Sequence, residues 1–362
     1  MKSISPIFLI FFALSLVSSC THQNPEKVRV MVDSTGFATT SSQMDSIVER
    51  IDRHQGFLLD SLEQSGKIQP WKTVICPHDD YAYAGYLYPA ALSRIDTRLV
   101  ILLGVAHKAR DYDLQDRIVF GDYDYWQTPG GKVRVSKLRE EVLTLLPENT
   151  FTVHAEMQQI EHSLEPIVSF LQRNNPQVEI LPVLIPYMSF DQMKTHADAL
   201  TEALSQLMIK RHLKWGKSLS IVISSDAVHY GDQGWGGKNF AEYGADTAGY
   251  KKATAHDRNL IDSYLCGPLS EAKIGQFFYA TVQKAKHKEY KWTWCGRYSI
   301  PFGLLTSVYL ARKQGEPVPS GYFVDYSSSI THEPLPVRDI NMGHTAPANI
   351  HHWVGYATIG YK

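Results

Sequence analysis

Three apolar runs in this chain end in the same way. Thr73–Cys76 runs into Pro77-His78-Asp79-Asp80-Tyr81, the run 99–103 into Gly104-Val105-Ala106-His107, and the run 219–223 into Ser224-Ser225-Asp226-Ala227-Val228-His229. Apolar runs of this length predict buried strands, and a polar turn straight after a strand predicts the carboxyl edge of an α/β sheet, where ligand sites collect. Helical spacing fills the intervals. The stretch 41–62 places Met44, Ile47, Val48, Ile51, Leu58 and Leu59 on one face, with Ser41 or Ser42 as N-cap. Further helices are predicted over 86–95, 136–146, 191–213, 253–264, 270–284 and 302–312, and one opening at Glu161 and running to about 173. Strands are predicted over 118–120, 178–184, 322–326 and 354–361. Pro182 makes the second of these an edge or irregular strand. Trp126–Gly131 reads as a turn, and 231–250, rich in glycine and aromatic residues, as a loop over the sheet edge. Strands and helices alternate with no break in composition. This predicts one three-layer α/β domain over residues 31–362, built on a mostly parallel central sheet.

The amino terminus has another pattern. Lys2 precedes an apolar stretch over 4–17, and Val17-Ser18-Ser19 leads into Cys20. A short apolar core ending in small residues is a secretory signal, and a cysteine in that place resembles a bacterial lipobox. The expectation is a signal peptide over 1–19, a lipidated Cys20 and a polar tether to residue 30. An ordinary signal peptide cleaved nearby is the alternative. The mature protein would then be exported and held by acyl chains at a periplasmic or outer-membrane face. Three cysteines remain, Cys76, Cys266 and Cys295, so at least one thiol has no partner within the chain. A net charge of −1 and the lack of a basic stripe exclude an electrostatic nucleic-acid binder. Membrane contact is expected through the anchor alone.

The candidate chemistry lies at the three strand ends. Neutral imidazole is the commonest transition-metal donor, and His78, His107 and His229 each close an apolar run. Asp226, three residues before His229, could orient that ring or serve as a helix cap. Glu161, His162 and Glu165 have spacings that put them on one helical face, although acidic residues at a helix start also favour its dipole. Zinc-protease, Walker, nucleophile-elbow and dinucleotide signatures are absent.

These motifs carry a resemblance. Pro77-His78-x-x-Tyr81-x-Tyr83-x-Gly85, Leu103-Gly104-x-x-His107, Glu161-His162-Ser163-Leu164-Glu165, Ser224-Ser225-Asp226-x-x-His229-Tyr230-Gly231 and Cys295-Gly296-Arg297 occur in the order and rough spacing of the Memo family. That family resembles the class III extradiol ring-cleaving dioxygenases. The resemblance implies the extradiol-dioxygenase-like fold, with His78, His107 and Cys295 as metal ligands and His229 and Asp226 as acid–base residues. Asp79, Asp80, Tyr81, Glu161, His162 and Glu165 would line the pocket or support the ligands. Three motifs depart from the family pattern: Asp79 and Asp80 add carboxylates, Ala106 replaces a hydroxyl residue, and the aromatic N-terminal motif is hardly recognisable before Gly36-Phe37. A thiolate ligand favours copper or zinc over exchangeable iron(II), so the implied cofactor is a transition metal, copper or iron, with zinc open. Cys76 lies two residues from His78, which leaves a disulfide with Cys295 open. Two classes of function follow: redox or dioxygenase-like turnover of a small molecule, or a non-catalytic module holding a metal or a small-molecule or peptide ligand. A zinc hydrolase is a third.

Overall fold

The computed structural model describes residues 25–362; Cys20 and the signal sequence lie outside them. Seven strands position the site: β1 (Thr73–Cys76), β2 (Leu99–Val105), β3 (Gly131–Val135), β4 (Glu179–Ile185), β5 (Leu219–Ser224), β6 (Ser320–Ser328) and β7 (Trp353–Tyr361). The order β3-β4-β2-β5-β1 is parallel throughout, and β7 and then β6 continue it antiparallel. A hairpin partner, Tyr125–Thr128, and the short Val28–Arg29 strand extend the other edge.

Every residue of β2 is buried. Alternation then divides its side chains between two layers: Leu99, Ile101 and Leu103 enter one core, Val100 and Leu102 the other. The second core is covered by α1 (Ser41–Gln64), α2 (Leu87–Leu92) and α3 (Glu165–Asn174), which contribute residues such as Ile47, Leu87 and Val168. The first is covered by α4 (Phe190–Lys210), α5 (Glu271–Thr281) and α6 (Ser299–Gln314), through Leu200, Phe277 and Leu305. Helices on both faces of a mostly parallel sheet make the expected three layers. No described helix is long and apolar enough to cross a membrane.

Several expectations change. The N-cap of α1 is Thr40, in a capping box with Gln43, because Ser41 donates instead to the Pro129 carbonyl at 2.7 Å. The predicted helix 86–95 is shorter, α2 alone, and a separate helical turn, Tyr81–Ala84, precedes it. Trp126, Gln127 and Thr128 belong to a strand and Gly131 opens β3, so the turn is confined to Pro129 and Gly130. Strand β4 is interior rather than an edge. Its outer side pairs with β3 only through residue 180 and with Ile118–Phe120 only from residue 183, so Pro182 falls between two partial partners where a missing N–H matters least. Residues 161–164 are not helical, and α3 starts at Glu165. Cys76, Cys266 and Cys295 are all free thiols. Cys76 packs into the α1/α2 layer, which removes the disulfide left open above.

Candidate metal centre

Strand β1 ends at Cys76, and Pro77 turns the chain so that His78 sits just past its carboxyl end. The His78 amide donates to Asp226 Oδ1 at 2.9 Å, tying the turn to the segment after β5. Its Nδ1 lies 2.7 Å from Ser224 Oγ, and that hydroxyl donates its only hydrogen to the Ser163 carbonyl at 2.6 Å. Ser224 must therefore accept from His78, which puts the ring proton on Nδ1 and leaves Nε2 with a bare lone pair. His107 follows β2 and is fixed by one carboxylate: Glu161 accepts from the His107 amide at 2.7 Å and from Nδ1 at 2.8 Å. Again Nε2 is the outward nitrogen.

Both point at one sulfur. Cys295 Sγ is 2.9 Å from His107 Nε2 and 3.4 Å from His78 Nε2, and the three donor atoms lie within 4.8 Å of one another. The Cys295 segment is held from below. Buried Asp257 accepts from the indole nitrogens of Trp292 and Trp294, each at 2.6 Å, and from the Tyr326 hydroxyl at 2.8 Å. Gly296 is required by close approach, since a Cβ there would sit 2.1 Å from Ser225 Oγ. Asp257→Asn keeps one oxygen for the two indole donors but puts an amide N–H2 where Oδ2 now accepts from the Tyr326 hydroxyl and faces the Val228 amide. It should cost about 2 kcal/mol in urea denaturation and loosen the Cys295 loop. An unchanged midpoint would show that this carboxylate does not brace the loop.

A tetrahedral ion with a sulfur at 2.3 Å and nitrogen at 2.0–2.1 Å separates those donors by about 3.6 Å. The 3.4 Å pair matches this and the 2.9 Å pair needs a shift of about 0.7 Å, so the donor set fits a transition metal. Burial opposes charging His107, but Cys295 and Glu161 outweigh it and raise its pKa well above the ordinary value. Burial also acts against the charge on Glu161, which His107 nonetheless holds at about 2. Burial, with His107 next to it, lowers His78 well below the usual imidazole value. These are the carboxylate–histidine and hydroxyl–histidine supports that ligand imidazoles have elsewhere. Ser224→Ala would free the His78 ring to take either tautomer, so metal affinity should fall roughly tenfold by competition with a chromophoric chelator. Affinity equal to wild type would mean that Ser224 does not set the tautomer.

The centre opens into a pocket of about 460 Å³ that reaches from the 32–37 segment to His352. Asp79, Asp80 and Asp226 line it, each pushed up to about 7 chiefly by burial, with neighbouring carboxylates adding to the effect. Tyr356 donates to Asp79 Oδ2 at 2.7 Å, and the Thr345 amide and hydroxyl donate to Asp80. Opposite stands an aromatic wall in which Trp235 stacks on His352, with ring centroids 3.9 Å apart, and tilts against His229 at 5.3 Å. Burial drives His229 down to about 3, so it is neutral at physiological pH, and its Nε2 has no partner. His352 Nε2 is likewise unpartnered. His162 stacks over His107 at 4.9 Å, and its side chain is 41% exposed, which puts it at the mouth.

The structure thus brings together His78, His107, Cys295, Asp79, Asp80, Asp226, His162, His229 and Glu161. Two expected pocket residues lie elsewhere. Tyr81 is a core side chain packed on Phe37, Tyr88 and Phe170. Glu165 pairs with buried Arg29 at 2.7 Å and accepts from the Val32 and Asp33 amides. The helical-face argument for Glu161 and Glu165 fails because the chain between them is extended and turned. Asp226 engages His78, not His229: residues 226–229 enter a short strand paired with β7 instead of a helical turn, so positions three apart do not meet. Sequence reasoning assigned no role to Ser224, Asp257 or Arg29. Arg29 donates to the Gln158 and Glu161 carbonyls at 2.7 and 2.6 Å and so anchors the loop that presents Glu161.

A three-layer α/β protein with two imidazoles and a thiol converging at its strand ends belongs in the class of candidate metalloproteins. A family model described as Memo-like protein matches residues 47–336, about four-fifths of the chain. The chain belongs to the Memo-like family. It is 25% identical over 163 residues to a MEMO1 family protein of Pyrobaculum aerophilum, covering 43% of this chain and 52% of that one. To a MEMO1 family protein of Thermotoga petrophila it is 27% identical over 206 residues, covering 53% of this chain and 68% of the relative. To one of Thermotoga maritima it is 26% identical over 174 residues, covering 46% and 57% respectively. The chain thus spans about half to two-thirds of the length of the curated relatives it matches.

Proposed function

We propose that this protein is a lipid-anchored Memo-family metalloprotein in which His78, His107 and Cys295 hold one transition metal ion, copper or iron, for redox or dioxygenase-like chemistry on a small substrate. Zinc is compatible with the same donors. One observation carries the reading: two imidazoles, their Nδ1 atoms engaged by Ser224 and Glu161, direct their Nε2 atoms at a single sulfur beside a 460 Å³ pocket. A cavity of that size suits a small organic ligand. When bound, the metal would supply Lewis acidity and, if redox-active, one-electron chemistry.

The chain's own residues do the rest. Trp235 and His352 offer a flat face to a planar substrate. The unpartnered Nε2 of neutral His229 accepts a hydrogen bond from a substrate hydroxyl. Asp226, poised near neutrality, can hold or release a proton next to His78. The N-terminal segment narrows the opening: a Cβ on Gly36 would strike Asp80 Oδ1 at 1.9 Å, so this position needs glycine for the segment to lie across the pocket.

The test is elemental analysis of anaerobically purified protein together with thiol counting, followed by oxygen-uptake assays on catechol-type compounds with iron(II). Stoichiometric metal and product formation support the reading. Stoichiometric metal without product on any such compound moves the protein to the non-catalytic binding module, and protein that binds no transition metal refutes the metalloprotein reading and leaves only a module for a small-molecule or peptide ligand. The anchor is checked separately: Cys20→Ala should shift the protein from the membrane fraction to the soluble one.

A further inference from the structure

A second cavity, of about 80 Å³, lies against Cys295 and is bordered by His107, Arg110, Tyr187, Tyr290 and Arg297. His107 lines both cavities, so its ring forms part of the partition. The roles described above do not use this space. Its chemistry is one-sided, because no carboxylate lines it. Arg297 is only 9% exposed, and its guanidinium carbon sits 3.6 Å from the Tyr290 ring centroid and 4.7 Å from that of Tyr298. Its hydrogen bond from Nη1 to the Trp294 carbonyl is long at 3.4 Å, and buried Nε has no partner. Arg110, at the exposed rim, donates to the Lys288 carbonyl, and both Arg110 and Lys288 stand over the Tyr187 ring. Among the described residues, none of these three cations makes an ion pair.

A buried guanidinium normally has a carboxylate, because an uncompensated charge in low dielectric is costly. Stacking between two tyrosines offsets part of that cost but leaves the N–H donors unsatisfied. We infer that this cavity binds a small carboxylate-type anion, held by Arg297 from within and Arg110 from the rim. The guanidinium fork matches a planar pair of oxygens, and the space admits a few heavy atoms. The anion would be either a free one, such as formate or bicarbonate, or the carboxylate of a larger ligand. The inference does not depend on a metal being bound.

The experiment is a thermal-melting titration of the full-length protein after chelation, with sodium formate, bicarbonate or benzoate at constant ionic strength. A ligand that binds only the folded state raises the melting temperature saturably, by a few degrees at hundredfold excess over Kd. Formate or bicarbonate should produce such a rise, and Arg297→Gln should weaken binding at least tenfold. Arg110→Gln, at an exposed side chain that cannot compromise the core, should weaken it severalfold and decides the matter alone if the Arg297 variant does not fold. Formate binding without benzoate binding identifies a free small anion. Benzoate binding that both variants weaken identifies the carboxylate of a larger ligand; either supports the site. A melting temperature indifferent to all three anions overturns the inference. So does a rise that survives undiminished in both variants.

Discussion

Cys295→Ala should reduce bound transition metal from about one equivalent to roughly one tenth or less, with the far-UV spectrum unchanged. Cys295 supplies the only sulfur in the cluster, and its side chain is the point both imidazoles face. Removing it leaves two nitrogens, too few to retain a first-row ion against a chelator. The fold should survive, because the loop is held by Asp257 and by Trp294 pairing with Val228, and not by the sulfur. His78→Ala and His107→Ala should lose metal to the same extent. His162→Ala is the discriminating control: its ring stacks on His107 at the mouth, outside the His78–His107–Cys295 group, and metal should be retained.

The same geometry sets a pH dependence for loading. In the metal-free protein His107 is charged well above the usual imidazole range, with Nε2 sharing its proton with Cys295. Binding displaces that proton, so apparent affinity should rise about tenfold per pH unit for each proton released. Flat affinity between pH 6 and 8, or metal content unchanged in all three ligand variants, would show that the ion sits elsewhere.

Much of this arrangement is visible in the chain itself, for a physical reason. A parallel strand buried on both faces must be a near-continuous apolar run, and in an α/β sheet its carboxyl end must open into a turn. Leu99–Val105 and Leu219–Ser224 are such runs, so the placement of His107 and of Ser224–His229 at one sheet edge follows from composition alone. What periodicity could not supply was direction. Glu161 and Glu165 are four apart, which reads as one helical face, yet the turn before α3 sends the first to His107 and the second to Arg29. Ser224 looks like an ordinary strand-end serine until its hydroxyl is seen to donate to the Ser163 carbonyl. Asp257 sits in a helix more than 30 residues upstream of the loop it braces, a contact that only tertiary packing creates. The local pattern thus determined which residues reach the edge, and long-range hydrogen bonds determined what each does there.

Asp226→Asn should stabilise the metal-free protein by ~4 kcal/mol at pH 8 and by about half as much at pH 5.5. In the folded chain Asp226 titrates at about 7, against about 3.9 when unfolded. Above pH 4 the unfolded chain has released a proton that the folded one still holds, so stability falls as pH rises and the loss levels off above 7. Asp79 and Asp80, also at about 7, act in the same direction. So does His107, whose raised folded value gives stability below pH 6.5 that is lost as pH climbs through it. His229 at about 3 and the depressed His78 act oppositely, removing stability as pH falls below 6.5, where the unfolded rings charge. Glu161 at about 2 contributes a constant stabilisation above pH 5. Between pH 6.5 and 8 the unfolded rings of His229 and His78 release the last of their protons, a shrinking opposite contribution, and the buried carboxylates together with His107 decide the slope. Urea denaturation of chelated protein should therefore show stability declining over that interval, with a shallower decline in Asp226→Asn. The variant keeps the Oδ1 acceptor for the His78 amide, so the turn is preserved while the charge is removed. A variant less stable than wild type at pH 8 would mean that the ionised carboxylate is satisfied in the fold, and that the pocket was not built to hold a proton at this position.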